Sequence, residues 1–228
     1  MTTDRLPRTV MSGALVLAPL TGLVAAAAQP ALRATRAEEI AAISAHPDRF
    51  YVYALAMTVS SYLLVPAMFG VLTLLREHAP RWASVAVGVT QVGLLIAIGD
   101  AATEFLYWQM GVGGADRAQM VALAERYENA AGVSVLYSVG GLATLVGIAL
   151  TSVVLWRSRV APRWAAVALL VGTAAQIAGF SGAGQPLLIG SYMVLLAAFA
   201  PVAIALARRT PSPSGTTPAV RNTAAAAR

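Results

Sequence analysis

Asp100 and Glu104 are the residues of this chain best placed to do chemistry, because they stand inside an apolar run, Ala83–Trp108, that reads ASVAVGVTQVGLLIAIGDAATEFLYW. A carboxylate in the hydrocarbon region costs roughly 2.5–3.5 kcal/mol on insertion scales, so an acid at that depth marks a candidate site. Four residues apart on a 3.6-residue helix, the pair falls on one face, with Gly93 and Ala97 below it and Tyr107 and Trp108 above. Two carboxyls within one turn resist joint ionisation at low dielectric, so one stays neutral and can give a proton while the other takes one. Such a pair suits protonating an alkene or epoxide, isomerising a lipid, or carrying a proton. The competing structural reading leaves Glu104 interfacial and solvated, with Asp100 only hydrogen-bonding a Ser, Thr or Tyr of a neighbouring span.

Tyr107 and Trp108 are candidate walls for a lipophilic substrate, and Tyr62 in the preceding apolar run is a third. Arg49, with Arg36 and His46, sits in a loop on the same side as the acids and could bind an anionic headgroup or the carboxylates; simple solvation is the alternative. His46 and His78 fall on opposite sides of the bilayer, so they cannot jointly hold a haem or a metal. With no Cys, thiolate zinc sites, iron–sulfur clusters and thiol nucleophiles are excluded. No cofactor and no metal are expected. Membrane-integral terpene cyclases also set intramembrane acids among aromatic walls, an analogy only, since no cyclase motif is present.

The elements that position these groups follow from composition. Of the 228 residues 58% are hydrophobic and only 11% charged, and the mean hydropathy is +0.70, values that belong to a membrane protein rather than a soluble domain. The net charge of +6 comes from Arg scattered in short loops, not from one basic face, so nucleic acid is not expected as a partner. Apolar runs predict an all-α polytopic protein with six transmembrane helices over about 10–29, 51–75, 83–108, 131–156, 164–180 and 187–207. Residues 1–9 make a cytoplasmic N-terminus and 208–228, rich in Pro, Ser, Thr and Ala, a disordered cytoplasmic tail. The first run, with Arg5 and Arg8 before it and small residues at its end, also fits a cleaved signal peptide.

Between the spans, Thr35 with Glu38 forms a capping box for a short helix over Glu38–Ala45, and Met120, Leu123 and Tyr127 suit an amphipathic helix lying at the interface. Pro66 can kink the second span where a neighbour accommodates it. Gly140, Gly141, Ser134, Ser138 and Thr144 favour close helix packing, and Gln176, Gln185 and Tyr192 are expected to bond between helices. With the N-terminus inside, eleven of sixteen Arg lie on the cytoplasmic side, so both termini are expected there, in a bacterial cytoplasmic membrane.

The segment APRWASVA at Ala79–Ala86 recurs with one change as APRWAAVA at Ala161–Ala168. Each copy joins a span arriving from outside to one returning, which describes a parallel two-span repeat; independent selection of Trp and Arg for an inner interface is the alternative. The acids are not repeated, because the matching positions hold Gly182 and Pro186. The segment Ile43–Phe50 (ISAHPDRF), the LLRE ending at Leu74–Glu77, an acidic third span and the APRW turn before the fifth resemble a family of small actinobacterial and firmicute membrane proteins catalogued as a domain of unknown function, over about residues 8–207. The resemblance implies the fold and carries no activity. The residues themselves favour a membrane-embedded acid/base enzyme or binding protein for a lipophilic small molecule, isoprenoid- or quinone-like, in contact with membrane lipid. The alternative is a small proton-coupled carrier or an accessory subunit, as a homo-oligomer or in a larger complex.

Overall fold

The structure, a computed structural model, describes residues 6–30, 35–112, 114 and 116–208. Positions 1–5 of the expected cytoplasmic N-terminus and 209–228 of the expected disordered tail lie outside the described residues. Among the described residues the chain forms α-helices and no strand: α1 (Leu6–Ala28), α2 (Arg36–Ala45), α3 (Pro47–Leu75), α4 (Pro80–Val112), α5 (Arg117–Glu128), α6 (Ala131–Ser158), α7 (Arg163–Ala178) and α8 (Gln185–Arg208). Among the described residues six helices, all but α2 and α5, are long and apolar enough to cross a membrane, α7 together with its continuation to Gly182. This is a multi-pass membrane protein. Large apolar side chains such as Leu95, Leu142 and Met193 are more than half exposed on the outer faces, where lipid rather than water is their solvent.

Local sequence sets where the helices begin and end. The Thr35 hydroxyl accepts from the Glu38 amide at 3.3 Å, and Glu38 and Glu39 stand in the first turn, where the helix dipole favours acids. That cap starts α2 at Arg36, two residues before the expected Glu38. One residue, His46, separates it from α3, which starts with Pro47 at a first-turn position where the missing N–H costs nothing. Asp116 caps α5 by accepting from the Ala118 amide at 2.9 Å. Beyond α7 the chain makes a wide turn over Gly179–Ala183, in which Gly182 has φ 107°, a conformation that a side chain would strain.

The six long helices close into a ring in the order α1, α3, α4, α6, α7, α8 and back to α1. The α4–α6 seam is built on glycines: a Cβ on Gly147 would collide with the backbone of Thr90, and one on Gly93 with Thr144 and the Gly140 carbonyl. Such small residues let backbones approach where no hydrophobic drive exists between helices in lipid. Gly141, unlike Gly140, faces open space. The α6–α7 seam is the thinnest of the ring. In α3 the carbonyl of Val65, beside Pro66, accepts from the Gln91 side chain of α4 at 3.0 Å.

α1 is a working member of this ring. Ala14, Leu15 and Ala18 are fully buried, Tyr192 of α8 packs directly on Gly22, and Ser60 of α3 donates to the Ala18 carbonyl at 2.8 Å. Its last carbonyls are capped from two sides. Arg49 donates to Ala28 and Ala27 at 2.9 and 3.1 Å, and Gln185 donates to Ala26 and Gln29 at 2.9 and 3.0 Å. A cation at a helix C-terminus also suits the dipole.

α4 has 33 residues, about 50 Å at 1.5 Å per residue and well past a ~30 Å hydrocarbon core. The surplus length carries Tyr107 and Trp108 up to α2 and α5, which fold over that end of the ring. Ile40 and Ile43 of α2 and Ala124 of α5 are buried there with Phe50, Tyr53 and Tyr107. α5 therefore covers the bundle through Ala124, with Met120 partly buried and Leu123 turned outward, instead of presenting Met120, Leu123 and Tyr127 as one apolar stripe. The order short helix, long helix, APRW turn, long helix occurs twice, and the two units meet through α4 and α6.

Candidate functional site

Two cavities occupy the ring and share a wall. The first is an apolar chamber of about 280 Å³ enclosed by α3, α4, α6, α7 and α8. Ser61, Thr90, Thr144 and Thr173 line it, but each hydroxyl donates to the carbonyl four residues back in its own helix, so the polar groups are satisfied and the lining behaves as apolar. Tyr192 and Gln176 stand beside each other in its wall, and the Tyr192 hydroxyl donates to the Met57 sulfur at 3.6 Å.

The second is a polar vestibule of about 630 Å³ beneath α2 and α5, lined among the described residues by acids, tyrosines and Arg36. Asp100, Tyr137 and Phe180 line both cavities and so mark where the two meet. The Tyr137 hydroxyl neighbours the Asp100 carboxyl and bonds Tyr127 at 2.9 Å. One turn further, Glu104 accepts from the Tyr53 hydroxyl at 3.1 Å through Oε1, while Oε2 is buried without a partner. Glu104 thus departs from the expectation of a simply solvated interfacial acid.

Above the acids, Arg36 of α2 pairs with Glu39 one turn on and with Glu128 of α5, and its guanidinium stacks 5.1 Å from the Tyr107 ring. Tyr107 donates to Glu128 at 3.2 Å. One ion-pair network therefore ties α2, α4 and α5 together. Burial works against charge on Arg36, but the Glu128 and Glu39 carboxylates outweigh it and push its pKa above the ordinary guanidinium value, so it stays charged. Burial raises the Glu39 carboxyl, and Arg36 only partly opposes that rise.

Of the residues singled out from sequence, Asp100, Glu104, Tyr107 and the loop arginine Arg36 are brought together in the vestibule. Trp108, Tyr62, Arg49 and the two histidines stand elsewhere. Trp108 donates to the Pro47 carbonyl at 3.1 Å and stacks on Tyr51 at 5.1 Å, bracing α3 against α4. Tyr62 is 59% exposed on the lipid face and lines neither cavity. Arg49 caps α1. His46 caps α2 and His78 stands at the opposite end of the bundle, against α6. Among the described residues no group of three His, Asp or Glu is placed to hold a metal ion.

Glu39, Glu128, Tyr53, Tyr127, Tyr137 and Gln29 join the site without having been singled out for it. The available signal was the concentration of tyrosines and acids on the side of the loops that hold α2 and α5. Residues 11–208 match the family model described as Domain of unknown function (DUF4386). No curated protein and no solved structure matches the chain.

Proposed function

The chain belongs to the family described as Domain of unknown function (DUF4386), a premise that fixes no activity, and we propose that it holds a lipophilic small molecule in the chamber with the molecule's polar end in the vestibule. The observation that carries the reading is the shared wall of Asp100, Tyr137 and Phe180. It brings a carboxyl to the point where an apolar body would end and a polar end begin. Cavities of about 280 and 630 Å³ together fall in the range of roughly 300–1,000 Å³ common for small-molecule sites.

In this reading Asp100 and Glu104 are the acid and base. Glu104 is held by Tyr53, and Asp100 beside Tyr137 faces the ligand, positioned for proton transfer to a bound molecule. The ligand enters from lipid through the thin α6–α7 seam, where Ile177 and Phe180 are both exposed and both border the chamber. In this reading the vestibule opens on the outer side of a bacterial cytoplasmic membrane, which the excess of Arg in the loops at the other end supports. A proton carrier is less well supported: no acid besides Asp100 lines the chamber among the described residues, so a proton has no carboxyl relay onward.

The test is Asp100→Asn. Wild type and variant are purified in the same mild detergent, extracted with organic solvent, and the lipophilic molecules retained per protein are measured by mass spectrometry. The variant should fold and lose most of the retained molecule; an undiminished complement in a folded variant would sink the proposal.

A further inference from the structure

The vestibule holds more hydrogen-bond acceptors than donors. Among the described residues four carboxyl side chains, Glu39, Asp100, Glu104 and Glu128, line it against one guanidinium, and Arg36 already bridges Glu39 and Glu128. Most of the hydroxyl donors are engaged as well. Tyr53 donates to Glu104, Tyr107 donates to Glu128, and one of Tyr127 and Tyr137 donates to the other, with the Tyr137 hydroxyl also beside Asp100. Ser134 and Ser138 donate to backbone carbonyls.

Among the described residues two acceptors in the wall are left without a donor: Glu104 Oε2, and Oε1 of Gln29, a side chain only 7% exposed. A buried acceptor lacking a donor keeps its full desolvation cost, so this wall favours a ligand that brings N–H or O–H groups. A carboxylate or phosphate end brings further acceptors and negative charge to a site that already has both in excess. An ammonium brings several N–H donors and the opposite charge, and the faces of the vestibule tyrosines attract a cation.

Resting on the two-cavity reading above, we infer that the ligand is an alkylammonium, a protonated lipophilic amine whose N–H groups serve the unpartnered acceptors of Gln29 and Glu104 while its apolar body fills the chamber. Asp100, where the two cavities meet, is then the counter-charge nearest the first carbons of that body.

The full chain, purified in detergent, is titrated at neutral pH by equilibrium dialysis with four probes of equal chain length: dodecylamine, dodecyltrimethylammonium, dodecanol and dodecanoate. Dodecylammonium should bind at least tenfold more tightly than the alcohol or the quaternary ion, and dodecanoate most weakly. Glu104→Gln, which replaces an acceptor with a donor, should narrow the preference for amine over alcohol to under threefold; Gln29→Leu serves the same purpose if the first variant does not fold. Equal or tighter binding of the alcohol, the carboxylate or the quaternary ion overturns the alkylammonium inference and leaves the two-cavity reading standing. If no probe binds, or if filling the chamber with Gly141→Leu leaves amine binding unchanged, the two-cavity reading fails and the inference falls with it.

Discussion

Gly141→Leu separates binding from stability at the chamber. A Cβ on Gly141 meets nothing within 4 Å, and the residue lines the chamber while also being exposed at the α6 surface, so a leucine is accommodated without a clash and its inward rotamer occupies chamber space. Four added carbons, each taking about the ~30 Å³ share of one water in the liquid, remove roughly 120 Å³. That is over two-fifths of a chamber of about 280 Å³. The backbone moves the other way, since replacing Gly within a helix gains roughly 0.5–1 kcal/mol of helix propensity. Stability should therefore hold or rise while ligand binding is lost. The assay is thermal unfolding in detergent with and without a saturating amphiphile. A ligand at a hundred times its Kd stabilises the wild type by about 2.7 kcal/mol, and the variant should show no ligand-induced rise. The same rise in both proteins would refute the chamber as the binding site.

Gly147→Ala should do the reverse, because its Cβ collides with the Thr90 backbone; overpacking of about 1–3 kcal/mol should lower the melting temperature and loosen the α4–α6 seam, as read by hydrogen exchange. Tyr53→Phe removes the donor to a buried Glu104 oxygen and should cost about 1–3 kcal/mol in the same melting assay, with the Glu104→Gln background absorbing part of the loss. Arg49→Ala should destabilise by about 1 kcal/mol, as the α1 carbonyls lose their cap, yet leave amphiphile affinity unchanged; a tenfold loss of affinity would restore Arg49 to the binding site. The Glu39 carboxyl is raised in the fold, chiefly by burial. Its contribution to stability is therefore present below the ordinary carboxylate range and lost as pH rises through the folded value. Exchange at α2 amides, corrected for intrinsic rate, should quicken from acidic to neutral pH, and an opposite trend would contradict the assignment.

Much of the architecture was legible because lipid allows so few solutions. A chain crossing hydrocarbon must satisfy its backbone internally, so each long apolar run has to be a helix. The helical period likewise put Asp100, Glu104 and Tyr107 on one face, and all three line the vestibule. The same period explains a residue misplaced. Tyr53 and Tyr62 are nine residues apart on α3, two and a half turns at 3.6 residues per turn, so with Tyr53 inside the site Tyr62 must face lipid. Sequence alone offered no basis for choosing which tyrosine faced inward.

Hydropathy and helical periodicity, which act within a segment, determined by themselves that this is a six-helix membrane protein with an acid pair on one helix face. The ring order, the folding of α2 and α5 over one end, and the closure of Arg36 onto Glu39 and Glu128 depend on glycine approaches and ion pairs between segments far apart in the chain. Those contacts turned Arg49 into a helix cap and Trp108 into a brace. They also drew Gln29 and Tyr53 into the wall around Glu104, because the partner a buried polar group finds is set by which helices become neighbours and not by the residues beside it in sequence.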